Sequence, residues 1–153
     1  MIEFDAYAAD WRVHGQVEFG EGRLSDQLKR TPELHLRDAR LEDLGDGQVV
    51  AMSKLKVALD ELCAVVATGP RGDVARRLNT QTARVEVGVG PYQIVGWVHG
   101  TPGLDPVASV LRRGTWVPLT EVSIRYRRGA DDVSEEVETL LVNSHLMRFF
   151  RAF

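Results

Sequence analysis

Trp11-Arg-Val-His-Gly15-Gln-Val17 returns 81 residues later as Tyr92-Gln-Ile-Val-Gly96-Trp-Val98. Both stretches have an aromatic residue first, a glycine fifth and a valine seventh. Polar and apolar residues alternate along the first stretch, which is typical of a half-buried β-strand. The correspondence continues without a gap from Phe4–Gly22 to Val85–Gly103. It predicts that the chain holds two copies of one β-rich unit.

The same correspondence resumes further along the chain with slightly larger spacing. Leu34–Leu41 matches Val117–Ile124 at a spacing of 83, and Leu55–Val57 matches Leu140–Val142 at 85. Loops of different length in the two copies would produce such increases in spacing. An internal repeat of this kind determines how the fold is interpreted. The sequence therefore predicts a first unit over residues 1–67, a linker over 68–82 and a second unit over 83–153.

Each unit is predicted to contain two strands, a short helix and three further strands. The helix prediction is strongest in the second unit, because Asp105 is a good N-cap and Pro106 suits the first helical position. The helical inserts are expected at Arg23–Thr31 and Asp105–Arg113. The predicted fold class is mainly β, with two tandem five-stranded small barrels.

Composition indicates a globular chain that works in a reducing compartment. Of its 153 residues, 44% are hydrophobic and 27% charged, and Cys63 has no cysteine partner. The acidic start does not resemble a signal peptide, and no apolar run approaches the ~20 residues of a membrane span. We expect a cytoplasmic protein without membrane contact. Units of about 60 residues bury little surface, so they should pack on each other or on neighbouring chains.

The net charge of −3 is unevenly distributed. Residues 1–75 sum to −5 and residues 76–153 to +2, and every basic residue of the second segment is arginine. The pairs Arg112-Arg113 and Arg127-Arg128 could contact phosphate, for example in RNA. The alternative is that they are solvated residues at the ends of loops and strands.

Residues capable of acid–base or nucleophilic chemistry are few: His14, His35, His99, His145 and Cys63. None has the spacing of a metal site, so neither a metal nor another cofactor is expected. His99 could meet Asp105 across a glycine-rich loop and act as a general base, or it could simply brace that loop. Cys63 lies in an apolar run and is expected to be buried. The sequence predicts a protein that is not an enzyme.

A glycine in the middle of the second strand, followed by a strand of the type Leu34-His-Leu-Arg-Asp-Ala39, resembles the Sm-like fold of proteins such as Hfq. Val117-Pro-Leu-Thr-Glu-Val122 is a looser copy of the same strand. A strand that bends sharply to close a small barrel favours a residue without Cβ, and Gly15 and Gly96 stand where that bend would fall. The resemblance covers about 60 residues of each half and implies an SH3-like barrel.

The resemblance also implies where RNA would bind, in the loops before the third and fifth strands. Here the first of these loops is replaced by the predicted helical insert. The second loop has no RNA-binding residues in the first unit, but in the second unit it offers Asn143 and His145, with Arg148 nearby. Such side chains can bond to and stack on bases. The alternative is that Asn143-Ser144 only turns the chain.

The C-terminal segment, Leu146–Phe153, is apolar on both faces if it forms a strand, because Phe149 and Phe153 share one face and Phe150 takes the other. Both apolar faces of such a strand have to pack against other parts of the protein or against another chain. Sm-like units assemble by pairing the fourth strand of one with the fifth strand of the next, which implies self-association through sheet edges and this terminal strand. We therefore expect a non-catalytic binding or assembly module, with an RNA-binding protein that uses the second unit as the alternative.

Overall fold

The structure is a computed structural model that describes residues 2–17, 32–67, 81–100, 103–112 and 114–153. Within these ranges the chain forms ten antiparallel strands in one sheet. Their bounds are β1 Ile2–Ala8, β2 Trp11–Val17, β3 Glu33–Asp43, β4 Val49–Ala58, β5 Leu62–Val66, β6 Gln81–Val89, β7 Tyr92–Gly100, β8 Trp116–Arg128, β9 Asp131–Asn143 and β10 Met147–Ala152. The mainly-β fold class is confirmed.

The strand order in the sheet is β10-β6-β7-β8-β9-β5-β1-β2-β3-β4. The first half, β1–β5, and the second half, β6–β10, therefore pair their strands in the same order, with the last strand of each half beside its first. Pairing of β5 with β9 joins the halves, and β4 and β10 lie at the two ends of the sheet. The arrangement as two closed Sm-like barrels stays a prediction.

Both halves have the same irregularity where β2 meets β3 and β7 meets β8. The register shifts next to Gly15 and next to Gly96, and the residues opposite, Asp38 and Glu121, both have a positive φ, of 50° and 51°. A Cβ on Gly15 would lie 3.2 Å from Leu36 Cβ, and one on Gly96 would lie 3.3 Å from Leu119 Cβ. Glycine at these positions lets two strand backbones approach closely. The predicted role of both glycines in closing a barrel stays a prediction.

A single α-helix occurs in the described residues: α1, Pro106–Leu111, between β7 and β8. Asp105 caps it, because its Oδ1 accepts a hydrogen bond from the Val107 N–H at 3.1 Å. Val107 then packs against the core of the second half. The helix predicted at Arg23–Thr31 lies outside the described residues. So does most of the predicted linker, although Gln81 and Thr82, which were assigned to it, are the first residues of β6.

The buried side chains form two clusters, and each takes members from both halves. The larger one is built mainly by β6–β9 but includes Tyr7, Leu44, Cys63 and Ala64 from the first half. The smaller one is built mainly by β1–β5 but includes Trp116 and Leu141. Each core therefore extends across the β5–β9 pairing and includes side chains of the other half. No helix in the described ranges has the length and apolar character needed to cross a membrane.

Candidate assembly interface

The ladder between β5 and β9 is the junction of the two halves. Ala64, Val65 and Val66 pair with Val142, Leu141 and Leu140, in that order. The Ala67 N–H extends the ladder by donating to the Thr139 carbonyl at 3.0 Å. Antiparallel pairing between the last strand of one half and the fourth strand of the other is therefore present within a single chain.

A polar network, here called the junction network, crosses this junction and consists of Asp5, Tyr7, Arg12, Tyr92, Tyr126 and Glu135. Arg12 is only 3% exposed, and its guanidinium donates to the Asp5 carboxylate, to Glu135 Oε2 at 3.0 Å and to the Ala6 carbonyl at 2.8 Å. Tyr7 and Tyr126 donate to the two oxygens of the same Glu135 carboxylate. Glu135 of β9 thus accepts hydrogen bonds from two side chains of the first half and one of the second.

The chain has three tyrosines, and all of them belong to the junction network. Their rings meet edge to face, with the Tyr7 and Tyr92 centroids 5.1 Å apart and the Tyr92 and Tyr126 centroids 5.3 Å apart. Arg12 Cζ lies 3.7 Å from the Tyr7 ring centroid, and the Tyr92 hydroxyl donates to the Ala8 carbonyl at 2.6 Å. The network therefore combines aromatic packing with satisfied polar groups.

Burial, hydrogen bonds and neighbouring charge together shift the pKa values of these groups. It raises the pKa of Tyr7 and Tyr92 well above the ordinary value and raises that of Tyr126 to about 12. Burial opposes ionisation of Glu135 too, but hydrogen bonds from Tyr126 and Tyr7 and the charge of Arg12 outweigh it, so the pKa of this carboxyl is lowered. At neutral pH the three tyrosines are therefore neutral and Glu135 is ionised.

Within the described ranges, the two terminal strands of the sheet pair with another strand on one side only. On β4, the apolar side chains of Val49, Val50 and Met52 are 56%, 45% and 40% exposed. On β10, Phe149 and Phe150 are half-buried. We call β4 and β10 the open edges. Exposed apolar edge strands are ready to pair with another strand.

The three C-terminal phenylalanines have different environments. Phe150 packs against the core of the second half, whereas Phe149 lies over the backbone of β6, where a Cβ on Gly88 would be 2.3 Å from its ring. Phe153 is 73% exposed, and Arg84 Cζ lies 5.1 Å from its ring centroid. The predicted division of Phe149 and Phe150 between two faces agrees with this arrangement, but Phe153 lies just beyond the end of β10.

Asn143, a predicted RNA-binding residue, is only 1% exposed. Its Nδ2 donates to the Leu62 carbonyl at 3.0 Å, and its Oδ1 accepts from the His145 N–H at 3.0 Å. It therefore caps the short 3₁₀ turn Ser144–Leu146 and ties it to β5. In this position its amide is used by the chain itself, as in the alternative interpretation that it turns the chain.

The other predicted RNA-binding residues fall into two separate groups. His145 and Arg148 are exposed around the start of β10, with His145 Nε2 3.1 Å from Thr115 Oγ1, and Arg112 is exposed at the end of α1. Arg127 and Arg128 lie at the other end of the 13-residue strand β8, at the turn into β9. Arg128 forms an ion pair with Glu42 of the first half at 3.0 Å. Arg113 lies outside the described residues.

The candidate catalytic residues have structural partners. His99 Nε2 lies 2.7 Å from Thr120 Oγ1, and Asp105 is the helix cap described above. Cys63 is 1% exposed, as expected, and burial together with the charge of Asp10 raises its pKa to about 11. A buried thiol with a raised pKa is a poor nucleophile.

An open groove of about 810 Å³ crosses the outer surface of β6–β9. Trp97, His99 and Thr120 line it together with the carboxylates of Glu121, Glu136 and Glu138. Trp97 is partly exposed on β7, at the position that Gln16 occupies in β2.

The junction network is the second feature that sequence reasoning missed. Tyr7 and Glu135 are 128 residues apart, and no local pattern connects them. The sequence does not mark Arg12 as buried, because it occupies a polar position in the alternating pattern of β2.

In comparisons with protein-family models, curated proteins and solved structures, nothing matches this chain.

Proposed function

We propose that the chain is a non-catalytic binding and assembly module built from two Sm-like units in tandem. The observation that carries the proposal is the β5–β9 junction, in which one half adds its fifth strand to the fourth strand of the other. The sheet made in this way ends in the open edges β4 and β10, which are strands of the same two types.

The repeated irregularities support descent of both halves from one unit. Gly15 and Gly96 make the same close contacts, and Asp38 and Glu121 have the same unusual φ. In addition, the bulge between β1 and β5 at Tyr7/Ala8 has a counterpart between β6 and β10 at Met147/Phe149. Such bulges are specific features of a fold rather than accidents of sheet packing.

A structural role for the buried polar groups supports the non-catalytic part of the proposal. In the described part of the chain, every buried side-chain nitrogen or oxygen has a hydrogen-bond partner. The junction network uses its tyrosines, arginine and carboxylates on one another, so its groups hold the halves together instead of facing a substrate.

Sedimentation velocity of the purified full chain tests the proposal. We expect the weight-average sedimentation coefficient to rise with concentration up to tens of micromolar, as chains associate. A chain that stays monomeric over this range contradicts the assembly function. Native mass spectrometry of freshly purified protein would then identify any co-purified ligand of a purely binding module.

RNA binding is the second candidate, and the surroundings of β10 favour it. Arg148 and Arg151 have their Cζ atoms 5.9 and 5.4 Å from the Phe149 ring centroid, and Arg84 lies against Phe153. Interleaved arginine and aromatic side chains suit phosphates and stacked bases. Asn143 is omitted from this site because it is buried.

Fluorescence anisotropy with a labelled single-stranded oligonucleotide tests RNA binding. We expect affinity at low salt, a steep loss as salt increases, and weaker binding by Arg148→Ala. Arg37→Ala, which removes an exposed arginine of the first half, is the matched control and should bind like wild type. Lack of any binding at low salt excludes this candidate.

A further inference from the structure

The open groove on the outer surface of β6–β9, about 810 Å³ in volume, combines an aromatic ring with three carboxylates. Trp97 of β7 is half-buried, whereas Glu121 of β8 and Glu136 and Glu138 of β9 are exposed. Among the described residues that line the groove there is neither a lysine nor an arginine. With His99 neutral, the lining therefore has three formal negative charges and should attract cations.

Two arginines on the strands of the groove lie outside its lining. Arg84 pairs with Trp97 in the β6–β7 ladder, but its Cζ lies 5.1 Å from the Phe153 ring centroid. Arg125 follows Ser123 by two residues on β8 and is exposed, and it does not line the groove. Although residues 76–153 carry a net charge of +2, this surface of the second half is acidic.

The first half shows that the fold does not require this acidic and aromatic surface. Its matching positions, at the spacings of 81, 83 and 85, include no aromatic residue and only one acidic residue: Gln16, Arg37, Asp38, Ala51, Ser53 and Lys54. The cleft around Gln16 and Asp38 measures only about 200 Å³. Because Asp38 and Glu121 share a positive φ, an acidic residue at that bend belongs to both halves. Trp97 and the two carboxylates of β9 belong to the second half alone.

The lining of the groove suits the guanidinium group of an arginine side chain. Tryptophan is the aromatic residue that attracts a cation most strongly to the face of its ring. A carboxylate such as that of Glu136 or Glu138 can accept two parallel hydrogen bonds from a guanidinium. Trp97 and Val137 also offer apolar surface to the aliphatic part of the side chain.

The shape of the groove favours an extended chain over a small molecule. Sites for small molecules enclose most of their ligand, whereas this groove is open and crosses four strands. Glu136 and Glu138 are alternate residues of β9, so they lie about 7 Å apart, and alternate side chains of an extended peptide have the same spacing. Trp97 lies two strands away, at a distance of about 10 Å. Several cationic side chains of one peptide can therefore reach the groove together.

We propose that this groove is the docking site for an arginine-rich segment of a partner protein, which binds in an extended conformation with one guanidinium on the Trp97 ring and others at Glu136 and Glu138. The inference rests on the binding part of the proposed function. It does not depend on association between chains, because the groove lies on a face of the sheet and not on an open edge.

Fluorescence anisotropy with a labelled peptide of alternating arginine and threonine residues tests the proposal on the full chain. We expect saturable binding at low salt, and no binding of a peptide with glutamine in place of each arginine. Glu136→Gln combined with Glu138→Gln should weaken binding about tenfold, since two exposed ion pairs are lost.

The matched control is Asp131→Asn combined with Asp132→Asn, which removes the same charge from exposed positions of the same strand outside the groove. This control should bind the arginine peptide like wild type. Equal weakening by both double variants would show that the peptide is attracted only by overall charge, and would overturn the proposal.

Trp97→Gln tests the aromatic contact. It gives β7 the residue that β2 has at the matching position, so the sheet should be kept, and circular dichroism checks this. Binding of the arginine peptide should weaken several-fold, because the guanidinium loses the face of the indole ring. Unchanged affinity in the folded variant contradicts the proposed site.

Spermidine distinguishes a peptide site from a site for a small cation. If spermidine binds more tightly than the arginine peptide and displaces it, the groove takes a polyamine and the peptide assignment is wrong. The outcomes also separate this proposal from the assembly function. Chains that stay monomeric and bind the arginine peptide contradict only assembly, whereas chains that associate and do not bind it contradict only the docking site.

Discussion

At the scale of single residues, Glu135 links the two halves through hydrogen bonds. It accepts hydrogen bonds from Tyr7, Arg12 and Tyr126, and its side chain is 30% exposed. Charge-assisted hydrogen bonds of this kind are stronger than neutral ones. When one hydrogen-bond partner of a partly buried carboxylate is removed, the remaining groups do not replace the lost bond.

Acidification should therefore destabilise the protein partly through Glu135. Its folded-state pKa is lowered, so its contribution to stability is complete above the ordinary carboxyl pKa and is lost as pH falls through the folded value. Glu135→Gln should lower the free energy of unfolding by about 1–3 kcal/mol at neutral pH and flatten its decline below about pH 4.5. Denaturant titrations at several pH values measure this. Exposed Glu136→Gln is the control, and equal pH profiles for both variants would contradict the assignment.

Alkaline titration should show that all three tyrosines are buried in one network. Free tyrosine is half ionised near pH 10, but burial raises the pKa of Tyr7, Tyr92 and Tyr126, the last to about 12. We expect the ultraviolet absorbance of tyrosinate to stay near zero at pH 10 in the folded chain and to appear when the chain unfolds. Ionisation of any tyrosine near pH 10 with the fold intact would contradict the network.

At the scale of elements, the repeat of local irregularities is more informative than the repeat of strands. Strands that alternate polar and apolar residues occur in many sheets, but here the glycine, the bulge and the positive φ recur together in both halves. Gly15 and Gly96 each face the side chain and backbone of a neighbouring strand, so they control how closely the two strands approach.

Substitution at either glycine should have similar effects. An added Cβ would be 3.2 Å from Leu36 Cβ in the first half and 3.1 Å from Val122 Cγ2 in the second. Gly15→Ala and Gly96→Ala should each cost about 1–3 kcal/mol, because the packed strands must shift. Thermal unfolding checks this, with the outward-facing Gln16→Ala as the control. A large difference between the two glycine variants would show that the two bends are not equivalent.

Sequence reasoning predicted the elements better than their connections. Alternating residues predicted strands such as β2, and Asp105-Pro106 predicted α1, because both signals act within a few residues. The junction network joins residues more than 100 positions apart, such as Arg12 and Tyr126, so no local pattern could reveal it. Asn143 illustrates the same limit: its type suits base recognition, but burial against β5 commits its amide to the chain.

At the scale of the whole molecule, the halves share their interiors. Tyr7, Leu44, Cys63 and Ala64 complete the core of the second half, and Trp116 and Leu141 complete that of the first. Each half alone would expose these positions to water, so we regard the pair, rather than either unit, as the folding entity.

Separation of the halves tests this view. Fragments 1–67 and 81–153 should each be unfolded or aggregated alone, because apolar core surface would be exposed, and should form a stable complex when they are expressed together. Circular dichroism and co-purification of the two fragments measure the outcome. Cooperative unfolding of either fragment on its own would show that the halves are independent domains.

The β5–β9 junction lies within one chain, and this has a consequence for the stoichiometry of any assembly. First and second halves are always present in equal numbers, and they alternate wherever the second half of one chain binds the first half of another. A closed ring would then contain an even number of units, and its symmetry order would be half that number. The covalent connection between the halves thus restricts which ring sizes can occur, before any contact between chains is made.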